Sequence, residues 1–145
     1  MKVQLVLAFD FGLKRIGIAG GDTLTRSAAP LTTVAHHTHG PDWTAIDREV
    51  SRFGPNLLLV GAPYNDDGSP GSLAVAADAF AQALAERTGL AVARVDERYS
   101  STAAHSHLRD QRASGERRRR VAKEDIDSAA AAIMLNSWLE QRGNT

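Results

Sequence analysis

Residues 4–19 read QLVLAFDFGLKRIGIA, two short apolar runs joined by a turn that holds charged residues and a glycine. The first run, Gln4 to Phe9, is rich in Val and Leu, and the second resumes at Ile16 to Ala19. Two such runs with a short polar segment between them predict a β-hairpin. Asp10 directly follows the first run, and Gly12 permits a tight turn beside it. The hairpin therefore carries an acidic side chain at the end of a strand.

Strands and helices alternate along the rest of the chain. The predicted elements are a weaker strand near Leu31 to Ala35, a helix opened by Pro41-Asp42, a strand at Asn56 to Val60, a helix between Ser72 and Gly89, a strand at Leu90 to Val95, a helix from Ser100 or Ser101, and an Ala-rich helix at Ile126 to Gln141. The strand at Asn56 to Val60 lacks polar alternation, which is typical of a strand covered on both faces. This order predicts an α/β fold with a mixed central sheet and helices on both faces.

Composition narrows the class of protein. The chain has 145 residues, of which 43% are hydrophobic and 23% charged, and none is cysteine. That balance predicts one domain, residues 1–145, and excludes disordered and fibrous proteins. The lack of cysteine excludes disulfides, thiol catalysis and thiolate metal ligands. No apolar stretch approaches the roughly 20 residues that cross a bilayer, and no signal-peptide pattern begins the chain, so we expect a cytoplasmic protein.

The net charge of zero conceals two segments of opposite charge. Residues 109–123 carry a net charge of +5, whereas residues 41–97 carry −5. We define the basic strip as Arg109, Arg112, Arg117, Arg118, Arg119, Arg120 and Lys123, and we predict that it lies in a loop. A cluster of this kind is typical of a surface that binds nucleic-acid phosphates, and its simpler interpretation is a solvated face.

Three acidic residues are predicted to meet at one edge of the sheet. Asp10 and Glu97 each follow a predicted strand, and the carboxyl ends of parallel strands share an edge. Asp127 stands at the predicted start of the last helix, where we assign its neighbour Asp125 as an exposed cap. Taken singly, these acids have simpler roles in a turn, a salt-bridged loop and a helix start.

Taken together, the three carboxylates call for a counter-ion, because like charges at one edge repel each other. Mg²⁺ prefers oxygen ligands, and a pair of such ions activates water and stabilises the leaving oxygen in phosphodiester cleavage. The expected chemistry is therefore metal-dependent hydrolysis of nucleic acid. On the same reasoning we expect that neutralising Asp127 spares or raises stability by relieving repulsion.

Four ordered segments extend this reasoning across nearly the whole chain. They are Ala8-Phe9-Asp10-Phe11-Gly12-Leu13-Lys14-Arg15-Ile16-Gly17-Ile18-Ala19, Val60-Gly61-Ala62-Pro63 with Asp67-Gly68, Asp96-Glu97-Arg98-Tyr99-Ser100, and Ile126-Asp127-Ser128-Ala129-Ala130-Ala131. In this combination the chain resembles the YqgF (RuvX) family, described as Holliday-junction-resolvase-like and as nucleases of pre-16S rRNA. The resemblance implies an RNase H-like fold and an endonuclease that matures the 5′ end of small-subunit rRNA in ribosome biogenesis.

The resemblance also implies a set of site residues. Asp10, Glu97 and Asp127 would be catalytic and would hold one or two Mg²⁺ or Mn²⁺ ions, in agreement with the acids chosen above. The residues expected to contact phosphates are Lys14, Arg15, Arg98, Arg117, Arg118, Arg119, Arg120 and Lys123. The implied partners are precursor rRNA or other structured RNA, branched DNA, and a pre-ribosomal particle.

Two alternatives stay open at this point. A resolvase-like nuclease would cut branched DNA and needs paired active sites, so the choice between monomer and homodimer bears on the substrate. A non-catalytic module that binds nucleic acid or ribosomes would keep the fold and the basic strip without turnover. The chain also differs from the common family pattern at Ala76, Asp78, Ala103 and Asp125, which concerns substrate affinity and preference.

Overall fold

The sheet at the centre of the fold has six strands in the order β4-β3-β2-β1-β5-β6. The computed structural model describes residues 3–62, 72–96 and 123–143. Its elements are β1 (Leu5–Asp10), β2 (Arg15–Asp22), β3 (Ser27–His37), β4 (Gly40–Pro41), α1 (Trp43–Phe53), β5 (Leu57–Ala62), α2 (Ser72–Thr88), β6 (Ala91–Asp96) and α3 (Lys123–Gly143). Strands β1 to β4 pair antiparallel, whereas β1, β5 and β6 pair parallel. The sheet is therefore mixed, as the sequence predicts.

The hairpin of β1 and β2 has a first arm of the predicted length, shifted by one residue, and a second arm that is longer than predicted. Its register runs from Leu5 opposite Asp22 to Asp10 opposite Gly17. The third strand is longer still, because β3 covers 11 residues and includes Pro30. Proline has no amide hydrogen to donate to a ladder, and β3 tolerates Pro30 because β4, on its other side, pairs only with His36 and His37 at the far end of β3.

Helices cover both faces of the sheet, and the alternation of side chains along β1 decides which face each residue serves. Leu7 and Phe9 pack into a core with α1 and α2 that includes Ile46, Phe80 and Leu84. Val6 and Ala8 point the other way and pack against Met134, Leu135 and Leu139 of α3. Residues at even positions in β1 therefore face α3.

Local signals set the ends of α1 and α2. The Asp42 carboxylate accepts a hydrogen bond from the amide of Ala45 at 3.2 Å and caps the first turn of α1. Gly54, with φ of 68°, ends α1, and Gly89, with φ of 73°, follows α2. The start of α1 at Asp42 and the end of α2 at Gly89 agree with the sequence prediction, which did not specify the end of α1.

Helix α3 begins at Lys123, three residues before the predicted start at Ile126. Asp125 is therefore the third residue of the helix and does not occupy the capping position that we assigned to it. Lys123, which we predicted to lie in the loop of the basic strip, is instead the first residue of α3, and residues 109–122 lie outside the described residues. The predicted helix from Ser100 or Ser101 lies outside the described residues. Within the described ranges, no helix is long and apolar enough to span a membrane.

Candidate active site

The carboxyl ends of the three parallel strands form one edge of the sheet. Asp10 pairs with Gly61, and Gly61 pairs in turn with Val95, so these three residues form a row across β1, β5 and β6. Adjacent strands lie about 4.8 Å apart, which places Asp10 about 10 Å from β6. Glu97 follows β6 directly in the sequence and lies outside the described residues.

Asp10 lies on the face of the sheet that α3 covers. It is directly opposite Gly17 in the hairpin, and directly opposed residues of antiparallel strands present their side chains on the same face. A methyl group on Gly17 would overlap the backbone carbonyl of Asp127 and lie 2.8 Å from the amide nitrogen of Ser128. Glycine at position 17 therefore lets the backbone of α3 at Asp127 approach β2 on the face to which Asp10 belongs.

An ion pair joins this part of α3 to the hairpin. The Nε of Arg15 donates a hydrogen bond to Oδ2 of Asp127 at 2.7 Å. Both side chains are partly buried, with 30% and 23% of their surfaces exposed. Asp127 is the fifth residue of α3 and lies beyond the first turn, so a helix-start role does not account for it. Sequence reasoning assigned Arg15 to phosphate and gave no signal for this pair.

The turn between Asp10 and Arg15 is held by contacts at both ends. The amide of Phe11 donates to the carbonyl of Gly61 at 2.8 Å, and the carbonyl of Lys14 accepts from the amide of His36 at 3.0 Å. The Lys14 side chain is exposed at this edge. The turn thus presents a cation next to the strand end that carries Asp10.

Several predicted site residues fall outside the ranges that the structure describes. Glu97, Arg98 and Arg117 to Arg120 lie outside the described residues, and Lys123 is the first residue of α3. Within residues 3–62, 72–96 and 123–143, no group of three His, Asp or Glu side chains could hold a metal ion. The structure therefore describes two of the three predicted acids, Asp10 and Asp127.

A pocket of about 260 Å³ lies on another part of the fold, between β3 and α1. It is lined by Leu31, Thr32, Glu49, Arg52 and Phe53. This volume is below the roughly 300–1,000 Å³ typical of small-molecule sites, and no predicted site residue lines it. The described residues thus favour the open edge at Asp10 over this pocket as the site of chemistry.

Comparison with known proteins identifies the family. The sequence profile of RuvX, described as "Holliday junction resolvase", matches residues 4–141. The chain belongs to the RuvX family. Among its relatives, a "Putative pre-16S rRNA nuclease" of Nitrosococcus oceani is 42% identical, covering 97% of this chain and 90% of the relative. A RuvX relative with the same description from Pectobacterium carotovorum is 39% identical, covering 97% and 98%.

Solved structures place the RuvX chain in a wider fold group. RuvC of T. thermophilus in complex with a Holliday junction substrate has a TM-score of 0.52 and 18% identity, covering 98% of this chain and 97% of that one. The yeast mitochondrial Holliday junction resolvase has a TM-score of 0.54 and 12% identity, covering 95% and 78%. At these identities the similarity concerns the fold alone. The predicted family and the predicted RNase H-like α/β fold are confirmed.

Proposed function

We propose that this chain is an endonuclease that hydrolyses phosphodiester bonds with a divalent metal ion, and that its substrate is precursor 16S rRNA. The observation that carries the proposal is the approach of α3 to the strand end at Asp10, where Gly17 leaves room for the backbone of Asp127. This approach supports the proposal that Asp10 and Asp127 act at one edge of the sheet. The family and the description of its relatives support a nuclease.

The donor chemistry of this edge fits Mg²⁺ or Mn²⁺. Both ions prefer carboxylate oxygens, and we propose that Asp10 and Asp127 hold them together with Glu97, which follows β6. A divalent ion supplies Lewis acidity that activates water and stabilises the leaving oxygen of the phosphodiester. The carboxylates fix the ions, and the Arg15 guanidinium balances the charge of Asp127.

Cations around this edge would hold the nucleic-acid backbone. Lys14 is exposed in the turn next to Asp10, and Arg15 lies beside Asp127. We propose that both contact phosphates near the scissile bond, with Arg98 and the basic strip binding the flanking backbone. Such contacts orient the substrate and do not read its bases.

The family description favours a second candidate substrate, a four-way DNA junction. The relatives described as pre-16S rRNA nucleases are about 40% identical over nearly the full chain, whereas the junction-resolving structures share only the fold. We therefore favour the RNA substrate. We propose further that residues 1–145 form one nuclease domain, acting in the cytoplasm on a pre-ribosomal particle as a monomer or homodimer.

The test offers both substrates to the purified chain. A precursor 16S rRNA fragment with its 5′ leader and a four-way DNA junction are incubated separately with Mg²⁺, with Mn²⁺ or with chelator, and the products are mapped at nucleotide resolution. We expect cleavage of the leader with metal and none with chelator, and sedimentation of the same sample gives the oligomeric state.

Other outcomes would contradict parts of the proposal. Cleavage of the junction alone would establish the second candidate and replace the RNA substrate. Tight binding of RNA without cleavage under any metal condition would identify a binding module and overturn the proposed hydrolysis. Cleavage that continues in chelator would remove the metal from the mechanism.

A further inference from the structure

His36 contacts the active-site turn, residues 11–14, at three of its four residues. Its imidazole Nδ1 lies 2.7 Å from the carbonyl oxygen of Gly12, and its ring meets that of Phe11 edge-on, with the centroids 5.2 Å apart. Its backbone amide donates to the carbonyl of Lys14 at 3.0 Å. His36 of β3 therefore contacts residues 11, 12 and 14 of the turn.

The bond to Gly12 has a defined direction. A carbonyl oxygen only accepts, so the Nδ1 of His36 must carry the hydrogen. The hydrogen bonds of Phe11 and Lys14 anchor the two ends of the turn through the backbone, and the imidazole of His36 anchors its middle. The half-buried ring therefore adds a third fixed point that the strand ladders do not provide.

The turn itself has little room to adjust. A methyl group on Gly12 would lie 2.6 Å from the carbonyl oxygen of Arg15, so the turn folds tightly back on its own exit. Asp10 stands immediately before the turn, and Arg15 stands immediately after it. A displacement of the Gly12 peptide is thus transmitted in both directions, toward the carboxylate of Asp10 and toward the guanidinium that pairs with Asp127.

We infer that His36 is a positioning residue of the nuclease, acting through its Nδ1 hydrogen bond to Gly12. The inference rests on the proposed function, because it assigns His36 to the placement of Asp10, Lys14 and Arg15 toward metal and phosphate. His36 itself touches neither. Its conservative replacement is asparagine, whose side-chain nitrogen stands at the same covalent distance from Cβ as Nδ1 and also donates.

Four variants separate this bond from general packing. His36→Asn keeps a donor at the Nδ1 position, and His36→Gln carries the same amide one methylene further out. His36→Phe keeps a ring against Phe11 without any donor. His37→Phe is the matched control, because His37 is the exposed neighbour that stacks on His39, with the ring centroids 5.2 Å apart.

Each variant is measured for melting temperature, metal-dependent cleavage and hydrogen exchange of the amides of residues 12–15. We expect cleavage to fall about tenfold to a hundredfold in His36→Gln and His36→Phe, as small misplacements of reacting groups do. His36→Asn and His37→Phe should stay close to the wild type. Hydrogen exchange in the turn should rise only in His36→Gln and His36→Phe, the two variants that lose activity. The melting temperatures of His36→Asn and His36→Gln should be similar.

Equal losses in His36→Asn and His36→Gln, tracking their melting temperatures, would overturn the inference and leave His36 as a packing residue. If His36→Phe does not fold, the Asn and Gln pair decides the matter alone. If the wild type cleaves no substrate, the proposed function fails, but hydrogen exchange in residues 12–15 still tests whether His36 anchors the turn. Unchanged exchange in His36→Gln would then overturn the anchoring role of His36.

Discussion

Arg15 and Asp127 are separated by 112 positions in the sequence, and the fold joins them through a 2.7 Å hydrogen bond from Nε to Oδ2. The pair connects the exit of the active-site turn to the second turn of α3. It places a positive charge between the hairpin and an acid that we propose as a metal ligand. Two groups assigned from the sequence to different tasks are therefore neighbours.

The first prediction concerns the stability of this pair. In a double-mutant cycle with Arg15→Gln and Asp127→Asn, urea unfolding should give a favourable coupling free energy of about 1 kcal/mol, since both side chains are partly buried and joined at 2.7 Å. The sequence led us to expect that neutralising Asp127 relieves repulsion, and the ion pair reverses that sign. A coupling free energy of zero or of the opposite sign would contradict the pairing.

The second prediction concerns the close approach at Gly17. Gly17→Ala forces α3 away from β2, because the added methyl group meets the backbone of Asp127 and Ser128, and we expect a loss of about 1–3 kcal/mol of stability together with loss of cleavage. The matched control is Gly20→Ala, whose methyl group meets the ring of Phe53 at 2.5 Å. It should lose stability but keep cleavage, measured where both variants are folded. Equal cleavage in the two would contradict this account.

The third prediction concerns pH and the link between α1 and α2. Arg87 donates from Nε and Nη2 to the carboxylate of Asp47 at 2.9 and 2.8 Å, and these hydrogen bonds hold the pKa of Asp47 below its ordinary value of 3.8. A depressed folded-state pKa stabilises the protein above the unfolded-state pKa, and that contribution is lost as the pH falls through the folded-state value.

A double-mutant cycle of Asp47→Asn and Arg87→Gln, measured by urea unfolding at several pH values, checks this sign. The coupling free energy should be favourable at about pH 6 and should decline below roughly pH 4, where unfolded Asp begins to protonate. A coupling that grows on acidification would show that the Asp47 carboxylate is not held in its charged form by Arg87.

The fourth prediction concerns the basic strip. Neutralising Arg117 to Arg120 should weaken RNA binding for every sequence tested, because phosphate contacts carry no base information. Each lost contact should lower the slope of log affinity against log salt concentration by roughly 0.7 to 0.9. Arg52→Gln serves as the control, since this arginine is exposed on α1 and is not part of the strip. An unchanged slope after neutralisation would identify the strip as a solvated face.

The sequence predicts those features whose signals are local. The hairpin, the start of α1 at Asp42 and the end of α2 at Gly89 each follow from residues close together in the chain. Strand β4 has only Gly40 and Pro41, which carry no strand pattern. The start of α3 was predicted late because its first residues, Lys-Glu-Asp, are polar and show no apolar periodicity.

The sequence suggests which acids form the candidate site, but it gives no signal for the contacts that support them. Asp10 and Asp127 are expected at one edge because strand ends and a helix must meet there, whereas the ion pair with Arg15 depends on how closely α3 approaches Gly17. His36 is 24 positions from Gly12, and in the sequence it is one of three histidines in a polar segment. Long-range pairings of this kind have no periodicity to reveal them.

The most direct measurement is the cleavage rate of Asp10→Asn with Mg²⁺ or Mn²⁺, set against that of Asp22→Asn. Both variants make the same chemical change in the same hairpin, but Asp22 lies at the opposite end of the ladder and accepts hydrogen bonds from Leu24 and Thr25, which asparagine can also accept. We expect loss of cleavage with retained folding and RNA binding in Asp10→Asn, and wild-type cleavage in Asp22→Asn. Equal rates in the wild type and both variants would contradict the assignment of Asp10 to the chemistry.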